Sequence, residues 1–403
     1  MELKKIHISD IGKIVTGKTP RTSVAENYDG YIPFLTPSDD LSHKSAPKTT
    51  KTLTEQGLNE VRNCLLPSRS ICVSCIGSDL GKVVMTKEPT VTNQQFNSII
   101  PNKNFNADFV YYFMTLVGRE LNYLSKTSTA VPIINKSSFS NYEIEVPDLE
   151  TQNRIASILS SIDSKIELNR RINDNLEQQA QALFKSWFVE KPNPQWTKGS
   201  LSDIASFVGG YSYKGDELVD SSNTGMATIK NYNRSGGFKT DGFKAINPSD
   251  KVKNAQYAEL FEILVAHTDL TQNAEVIGNA ELVLSLGEYN KIIFSMDLVK
   301  VLPSSSFPYR FLIAAMLKNK LFKGHCQGYV NGTTVLHLNK KALPEYKVMI
   351  PTDTEAKKMN EILGGYYKRM SENLKENDML EQLRDTILPK LMSGELKIND
   401  LNC

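Results

Sequence analysis

Two short stretches of this chain carry residue types at spacings that could do chemistry. Residues 12–19, GKIVTGKT, fit the phosphate-loop pattern G-x-x-x-x-G-K-[ST]. That pattern needs a strand before it and a helix starting at the Lys-Thr step, so that backbone N–H groups point at phosphate. Pro20 follows at once, and RTSVAENYDGYIP shows no helical stripe. The corresponding stretch of the second half, Phe207-Val-Gly-Gly-Tyr, lacks the lysine. The expectation is a basic turn facing a phosphate backbone. Cys72-Val-Ser-Cys75 has the CxxC spacing of metal and redox sites. It lies in a predicted strand, where residues i and i+3 face opposite sides, and no second pair or nearby His completes a zinc site. The five histidines, at 7, 43, 267, 325 and 337, are scattered. No catalytic and no metal-binding residue is expected.

Polar loops are the better candidates. Gly77-Ser-Asp-Leu-Gly-Lys82 and Thr92-Asn-Gln-Gln95 lie in the first half. Lys230-Asn-Tyr-Asn-Arg234 and His267-Thr-Asp-Leu-Thr-Gln-Asn273 lie in the second. Asn and Gln can read adenine edges bidentately, Arg and Lys read guanine, and Asp accepts from cytosine. The competing reading is that such loops are simply turns. With the turn at 18–21, the candidate DNA contacts are Lys18, Thr19, Arg21, Ser78, Lys82, Asn93, Gln94 and Gln95. In the second half they are Lys230, Asn231, Asn233, Arg234, Thr268, Gln272 and Asn273. Asn193-Pro-Gln-Trp196 is close to the N-P-P-[FYW] turn that holds a target base in amino-methyltransferases. Its second Pro is Gln, no F-x-G-x-G loop accompanies it, and it reads as a linker.

The elements that must position these loops occur twice. Residues 127–147 and 331–351 match at a constant offset of 204. Thr129 matches Thr333, Val131 matches Val335, Asn135–Lys136 match Asn339–Lys340, Tyr142 matches Tyr346 and Pro147 matches Pro351. Leu176-Glu177-Gln178 and Leu380-Glu381-Gln382 keep the same offset, and Ser9-Asp10-Ile11 is echoed by Ser202-Asp203-Ile204. A period this long is a duplicated domain plus a duplicated helix, far beyond a solenoid unit. Such a chain presents two related surfaces, which suits a two-part target.

Within each globular half, short apolar runs between turn signals predict strands: 31–35, 71–73, 82–85 and 96–100, then 261–266 and 291–302. Residues 107–124 and 308–322 carry apolar residues at helical spacing. The expected fold class is mixed α/β, with two duplicated globular domains separated by a long antiparallel two-helix coiled coil. The seam is predicted from Ile155, Ile162, Ile172, Leu176 and Leu183 in the first helix. Leu363, Met370, Leu374, Leu380 and Ile387 serve in the second, at the three-and-four steps of a coiled coil. Asn169 and Asn377 fall on or near it and would fix register. Thr352-x-x-Glu355 reads as a capping box. Gly364-Gly365 is expected to weaken the second helix and Pro389 to kink or end it. An antiparallel pairing would put the globular halves at opposite ends of the rod.

Composition is that of an ordinary globular protein: 403 residues, 40% hydrophobic and 23% charged. No stretch of about 18 apolar residues suggests a membrane span. MELKKIHISD has no apolar signal core, so a cytoplasmic location is expected. Five cysteines suit reduced thiols. Residues 1–147 hold 16 Lys/Arg and 14 Asp/Glu, and 191–351 hold 18 and 14, giving +2 and +4. The helical segments 148–190 and 352–403 hold 13 and 17, giving −4. The basic halves are compatible with nucleic-acid contact, but a protein binding DNA alone would be more basic. A partner supplying positive surface would reconcile the two.

Taken together, VTGKTP (15–20), TNQQFNSI (92–99), EVPDLETQNRIASILSSIDSKIELN (145–169), EILVAHTDLTQNAEVIGNAE (262–281) and KLMSGEL (390–396) resemble the specificity subunit of a type I restriction–modification system. The resemblance covers essentially the whole chain. It implies two target-recognition domains, 1–147 and 191–351, each reading one half of a bipartite double-stranded DNA site. It implies conserved spacer helices at 148–190 and 352–403 that dock two methyltransferase subunits, joined by restriction–translocation subunits. S-adenosylmethionine, ATP and Mg would then serve those partners, with no cofactor in this chain and no catalysis of its own. The alternatives are a stand-alone DNA methyltransferase and a coiled-coil adaptor without DNA binding. The missing methyl-donor loop argues against the first, and the basic halves against the second.

Overall fold

The structure is a computed structural model and describes residues 2–45, 48–77, 79–125, 133–234, 236–271 and 273–397. The chain divides into two compact units: Met1–Ile166 with Leu380–Cys403, and Glu167–Met379. Each contains a globular α/β part and a stretch of both long helices, Leu149–Lys185 and Asp353–Ser393.

The two globular parts follow one plan. In the first, Lys4–His7 pairs antiparallel with Glu143–Val146, tying the start of the globular part to its end. Thr197–Ser200 pairs the same way with Lys347–Ile350 in the second. A one-turn helix follows each opening strand, Ile8–Ile11 and Leu201–Ile204. The Asp10 carboxylate accepts the His7 N–H at 2.8 Å, and Asp203 accepts that of Ser200 at 2.8 Å. Those N–H groups precede a helix and have no intrahelical acceptor, which explains why Ser-Asp-Ile occurs twice. The Asn-Lys echo has a similar cause. Asn135 accepts the Ser138 N–H at 2.9 Å and Asn339 that of Lys341 at 3.0 Å, each starting a short helix. Residues 127–132, the rest of the first copy's front, lie outside the described residues.

Each globular part is built on a four-stranded antiparallel sheet. Its order in the first is Gly12–Thr16, Phe96–Pro101, Ile71–Ser74, Val83–Met85. In the second it is Ala205–Gly209, Leu298–Pro303, Ile263–Ala266, Ala280–Leu282. Both faces are covered. Ile71, Val73 and Cys75 point to a core with the helix Ala107–Ser125, while Cys72 joins Phe34, Leu53 and Phe96 on the other side. Ile263 and Val265 likewise face the core of helix Arg310–Leu317, and Leu264 and Ala266 face Phe294 and Val283. Central strands buried on both faces read as unbroken apolar runs.

Four expectations need correction. Residues 291–302 form two strands, Lys291–Phe294 and Leu298–Pro303, in different sheets, because Ser295 and Asp297 turn the chain through a 3.1 Å side-chain bond. Residues 308–322 are not one helix. Arg310–Leu317 ends and Lys320–Gln327 begins at Asn319, which accepts the Leu321 and Phe322 N–H groups. Gly364-Gly365 does not interrupt Asp353–Ser393, and Gly364 admits the Phe311 ring, which lies 2.9 Å from where its β-carbon would be. Of the two outcomes expected at Pro389, an end to the helix is ruled out, since it runs on to Ser393 with Leu388, Leu391 and Met392 all buried. Tertiary burial outweighs local propensity at both places.

The long helices run antiparallel where they meet in each unit. In the first, Arg384 reaches Asp163 at 2.9 Å, and Ile155 and Leu159 share a core with Leu388 and Leu391. In the second, Asn169 pairs with Asn377 and Asn173 with Asn373. The first helix is capped by Asp148, which accepts the Thr151 N–H at 2.8 Å, and the second by the Thr352–Glu355 box.

Candidate nucleic-acid interface

In the first unit the strand Gly12–Thr16 delivers residues 17–19 to the polar loops. The Gly17 N–H donates to Phe96 O at 3.1 Å and the Lys18 N–H to Thr92 O at 2.9 Å. A side chain on Gly17 would meet the Asn93 carbonyl at 2.1 Å, so glycine is required by close approach. The N–H groups a phosphate loop would aim at its ligand are thus spent on the neighbouring strand, and the described segment that follows holds only a short turn at Ala25–Asn27. The Thr19 hydroxyl donates to Gln94 Oε1 at 2.7 Å. Asn93 Nδ2 donates to Gln95 Oε1 at 2.9 Å, and Gln95 O accepts the Cys75 N–H at 2.7 Å. Residues 17–19 and 92–95 therefore form one cluster, with Gly77 beside the Gln95 side chain and with Lys18 and Gln94 exposed. Lys82 leans on Asp79 at 3.0 Å. Ser78 lies outside the described residues.

Arg21 is committed elsewhere. Its backbone N–H and its guanidinium bind Glu60 at 2.7–2.9 Å, and this holds the Glu60 carboxyl down at about 2. The side chain stays largely exposed, so it can face a ligand only from that tether.

In the second unit the loop Lys230–Arg234 meets the segment that follows His267–Asn273. Arg234 Nε lies 3.1 Å from Glu275 Oε2, and Asn279 Nδ2 donates to Asn233 O at 3.2 Å. Lys230, Arg234 and Asn273 are exposed and Asn233 is half-buried. Two candidates face inward instead. Asn231 is fully buried: its Oδ1 accepts the Thr228 N–H at 2.8 Å and its Nδ2 donates to Lys239 O at 2.7 Å. Thr268 is buried and donates to Asp297 at 2.9 Å. Both shape loops and offer no free edge in this conformation. Gln272 lies outside the described residues.

Cys72 and Cys75 are buried free thiols on opposite faces of their sheet. Burial pushes them up to about 12 and about 11, the reverse of a reactive or ligating cysteine. Among the described residues no cluster of three His, Cys, Asp or Glu could hold a metal ion. Asn193-Pro-Gln-Trp196 is a linker turn, with Asn193 Nδ2 and Trp196 Nε1 both donating to Glu355.

Of the predicted seam, Ile155, Ile162, Leu363 and Met370 are buried, and Ile172, Leu176, Leu183, Leu374, Leu380 and Ile387 half-buried. Sequence reasoning missed Asn173 and Asn373, both buried, and with them a four-asparagine ladder. Asn169 Nδ2 donates to Asn377 Oδ1 at 2.9 Å, Asn373 Nδ2 to Asn173 Oδ1 at 2.7 Å, and Asn173 Nδ2 to Met370 O at 3.2 Å. The repeat held the signal, since 169 and 373, like 173 and 377, are 204 positions apart. Each copy contributes the same two asparagines.

The family model "Type I restriction modification DNA specificity domain" matches this chain twice, over residues 1–178 and 193–382. The chain belongs to this family of type I restriction–modification specificity subunits. It is 26% identical to the MjaIX specificity subunit of Methanocaldococcus jannaschii, across 99% of this chain and 94% of that one. It is 35% identical to the HindI specificity subunit of Haemophilus influenzae over 41% of this chain and 38% of that one. The crystal structure of an M. genitalium specificity subunit shares the fold, with a TM-score of 0.54 at 18% identity over 97% of this chain and 96% of that one. The specificity family's repeated domain is thus the duplicated plan of strands, loops and helix described above. Among the described residues no helix is long and apolar enough to cross a membrane.

Proposed function

We propose that this specificity subunit reads a bipartite double-stranded DNA sequence, one part with each unit, and leaves the chemistry to partners. The observation that carries this reading is the recurrence, in each repeat, of one cluster of exposed cationic and amide side chains on a rigid sheet. Lys18 and Gln94, with Asn93 and Gln95 beside them, make up the first. Lys230 and Arg234, with Asn233, make up the second, and exposed Asn273 lies two residues before Glu275, the partner of Arg234. Cations fix a protein on phosphates while amides and guanidinium groups discriminate base edges. In this reading the paired helices dock two methyltransferase subunits, restriction–translocation subunits join them, and the assembly works in the cytoplasm. S-adenosylmethionine, ATP and Mg belong to those partners.

The test is exchange of residues 197–343 for the equivalent part of a relative, followed by methylation mapping with the methyltransferase subunit co-expressed. One part of the target should change and the other stay. Simultaneous change of both parts would overturn the reading of one part per unit. Methyl transfer by the purified chain alone would overturn the division of labour.

A further inference from the structure

The loop Lys230–Arg234 begins in one short turn, Ile229–Asn231, and its return passes through Gly236 and Gly237 at φ +97° and +98°, where only glycine is unstrained. Such a loop needs an external frame to hold side chains in a reading geometry. The structure supplies one from behind. The Gly237 N–H donates to Glu281 Oε1 at 2.7 Å. The other oxygen of that carboxylate is bound by the ammonium of Lys318, which also lies 3.1 Å from Glu177 on the first long helix. The Lys318 and Glu281 side chains are only 8% and 7% exposed.

A second strut runs parallel to the first. Asn279 Nδ2 holds Asn233 O at 3.2 Å, and Lys323 Nζ binds Asn279 Oδ1 at 2.8 Å and Glu275 O at 2.6 Å. Glu275 in turn pairs with Arg234. Every atom of the loop's inner edge that these residues touch is thus fixed through a lysine at the end of one helix, Arg310–Leu317, or within the next, Lys320–Gln327.

A buried ion pair adds little net stability over an apolar pair, and is better explained as a device that selects one geometry. From this arrangement we infer that Lys318 and Lys323 are positioning residues for DNA reading by the second unit, acting through Glu281 and Asn279 without touching DNA. The inference rests on the reading of Lys230–Arg234 as a DNA-contacting loop. Without the lysines, Glu281 and Asn279 lose the partners that aim them, the loop relaxes, and base discrimination falls while phosphate attraction remains.

The experiment selects bound sequences from a randomised double-stranded DNA pool with the full chain. The chains compared are the unsubstituted one, Lys323→Met, Lys323→Arg and the neutral pair Lys318→Met/Glu281→Gln. The unsubstituted chain must first return a two-part consensus. If it does not, the DNA-reading function itself fails, separately from this inference. Arg234→Ala assigns one part of the consensus to the second unit. Lys323→Met should cut discrimination at that part by about tenfold, the scale of one lost bidentate contact, and leave the other part unchanged. Lys323→Arg should restore it, which a merely space-filling role would not require. The neutral pair should relax the same part. If it fails to fold, Lys323→Met, at a half-buried position, carries the test alone. Unchanged discrimination at both parts in Lys323→Met, or equal loss at both, overturns the inference.

Discussion

The ring of Phe311 occupies the space that a side chain on Gly364 would need. A β-carbon there would lie 2.9 Å from Cδ2 and 3.0 Å from Cε2 of that ring. The ring cannot simply retreat, because it stacks on Tyr367 at 6.0 Å and meets Phe261 edge-on at 5.5 Å. Gly365, one residue on, has nothing within 4 Å of its would-be β-carbon. Two neighbouring glycines in one helix should therefore respond oppositely to alanine. Gly365→Ala should stabilise by about 0.5–1 kcal/mol through helix propensity. Gly364→Ala gains the same term but loses about 1–3 kcal/mol to overpacking, for a net loss. Urea midpoints should rank Gly365→Ala above the unsubstituted chain and Gly364→Ala below it. A stabilising Gly364→Ala would show that the ring moves freely.

This pair also marks how far the sequence could be read. The duplication, the long helices, the capping box at Thr352–Glu355 and the mixed α/β plan follow from local patterns, and those are what a linear sequence carries. Gly364 read as a weak point because its partner, Phe311, is distant in sequence and belongs to another helix. The burial of Asn231 and Thr268 was equally illegible, since a polar residue in a loop reads as exposed until the backbone groups it satisfies are known. The struts on Lys230–Arg234 come from residues 275–323, whose charges look like ordinary surface charges in the sequence. Asn173 and Asn373 were within reach, because they follow from the 204-residue offset once Asn169 and Asn377 are placed.

The asparagine ladder predicts a double-mutant cycle with a clear sign. Asn373 donates to Asn173 at 2.7 Å, and its own Oδ1 is buried without a partner among the described residues. Asn173→Leu leaves the Asn373 amide buried with its acceptor gone, at a cost of about 1–3 kcal/mol. Asn173→Leu/Asn373→Leu removes both polar groups and should be near neutral or stabilising by equilibrium urea unfolding. Additive losses in the double variant would mean the ladder bond contributes nothing specific.

Glu355 predicts an acid-sensitive junction. Hydrogen bonds from Thr352, Asn193 and Trp196 favour its carboxylate and bring it from the ordinary 4.5 down to about 2. The folded state thus binds a proton less readily than the unfolded chain. The stability this contributes is complete above about pH 4.5 and drains away as the pH falls toward 2. Solvent screening keeps it modest for so accessible a group. Trp196, whose indole N–H donates to Glu355 at 2.9 Å, reports the change directly. Its fluorescence should shift between pH 4.5 and 2 in the unsubstituted chain, and that step should vanish in Glu355→Gln. An identical step in Glu355→Gln would assign the transition to another carboxylate.

Lys18 and Gln94 stand side by side in the first unit, linked through Thr19, and differ in what each can give to DNA. Lys18 is an exposed point charge whose backbone N–H is already bound to Thr92. A lone ammonium on a turn that faces the DNA backbone neutralises a phosphate and releases counterions, whereas an amide offers a base edge a paired donor and acceptor. Gln94 is uncharged and exposed, and its amide can pair with an adenine edge once it gives up the Thr19 hydroxyl. Lys18→Ala should therefore weaken binding to all sequences alike and lower the slope of log affinity against log salt by about one. Gln94→Ala should leave that slope unchanged and cost about 1–3 kcal/mol at a single base position. Titrating each variant against the selected target and a scrambled duplex at several salt concentrations separates the two signatures. A sequence-selective loss in Lys18→Ala with an unchanged slope would place Lys18 on a base, and a uniform loss in Gln94→Ala would take Gln94 off one.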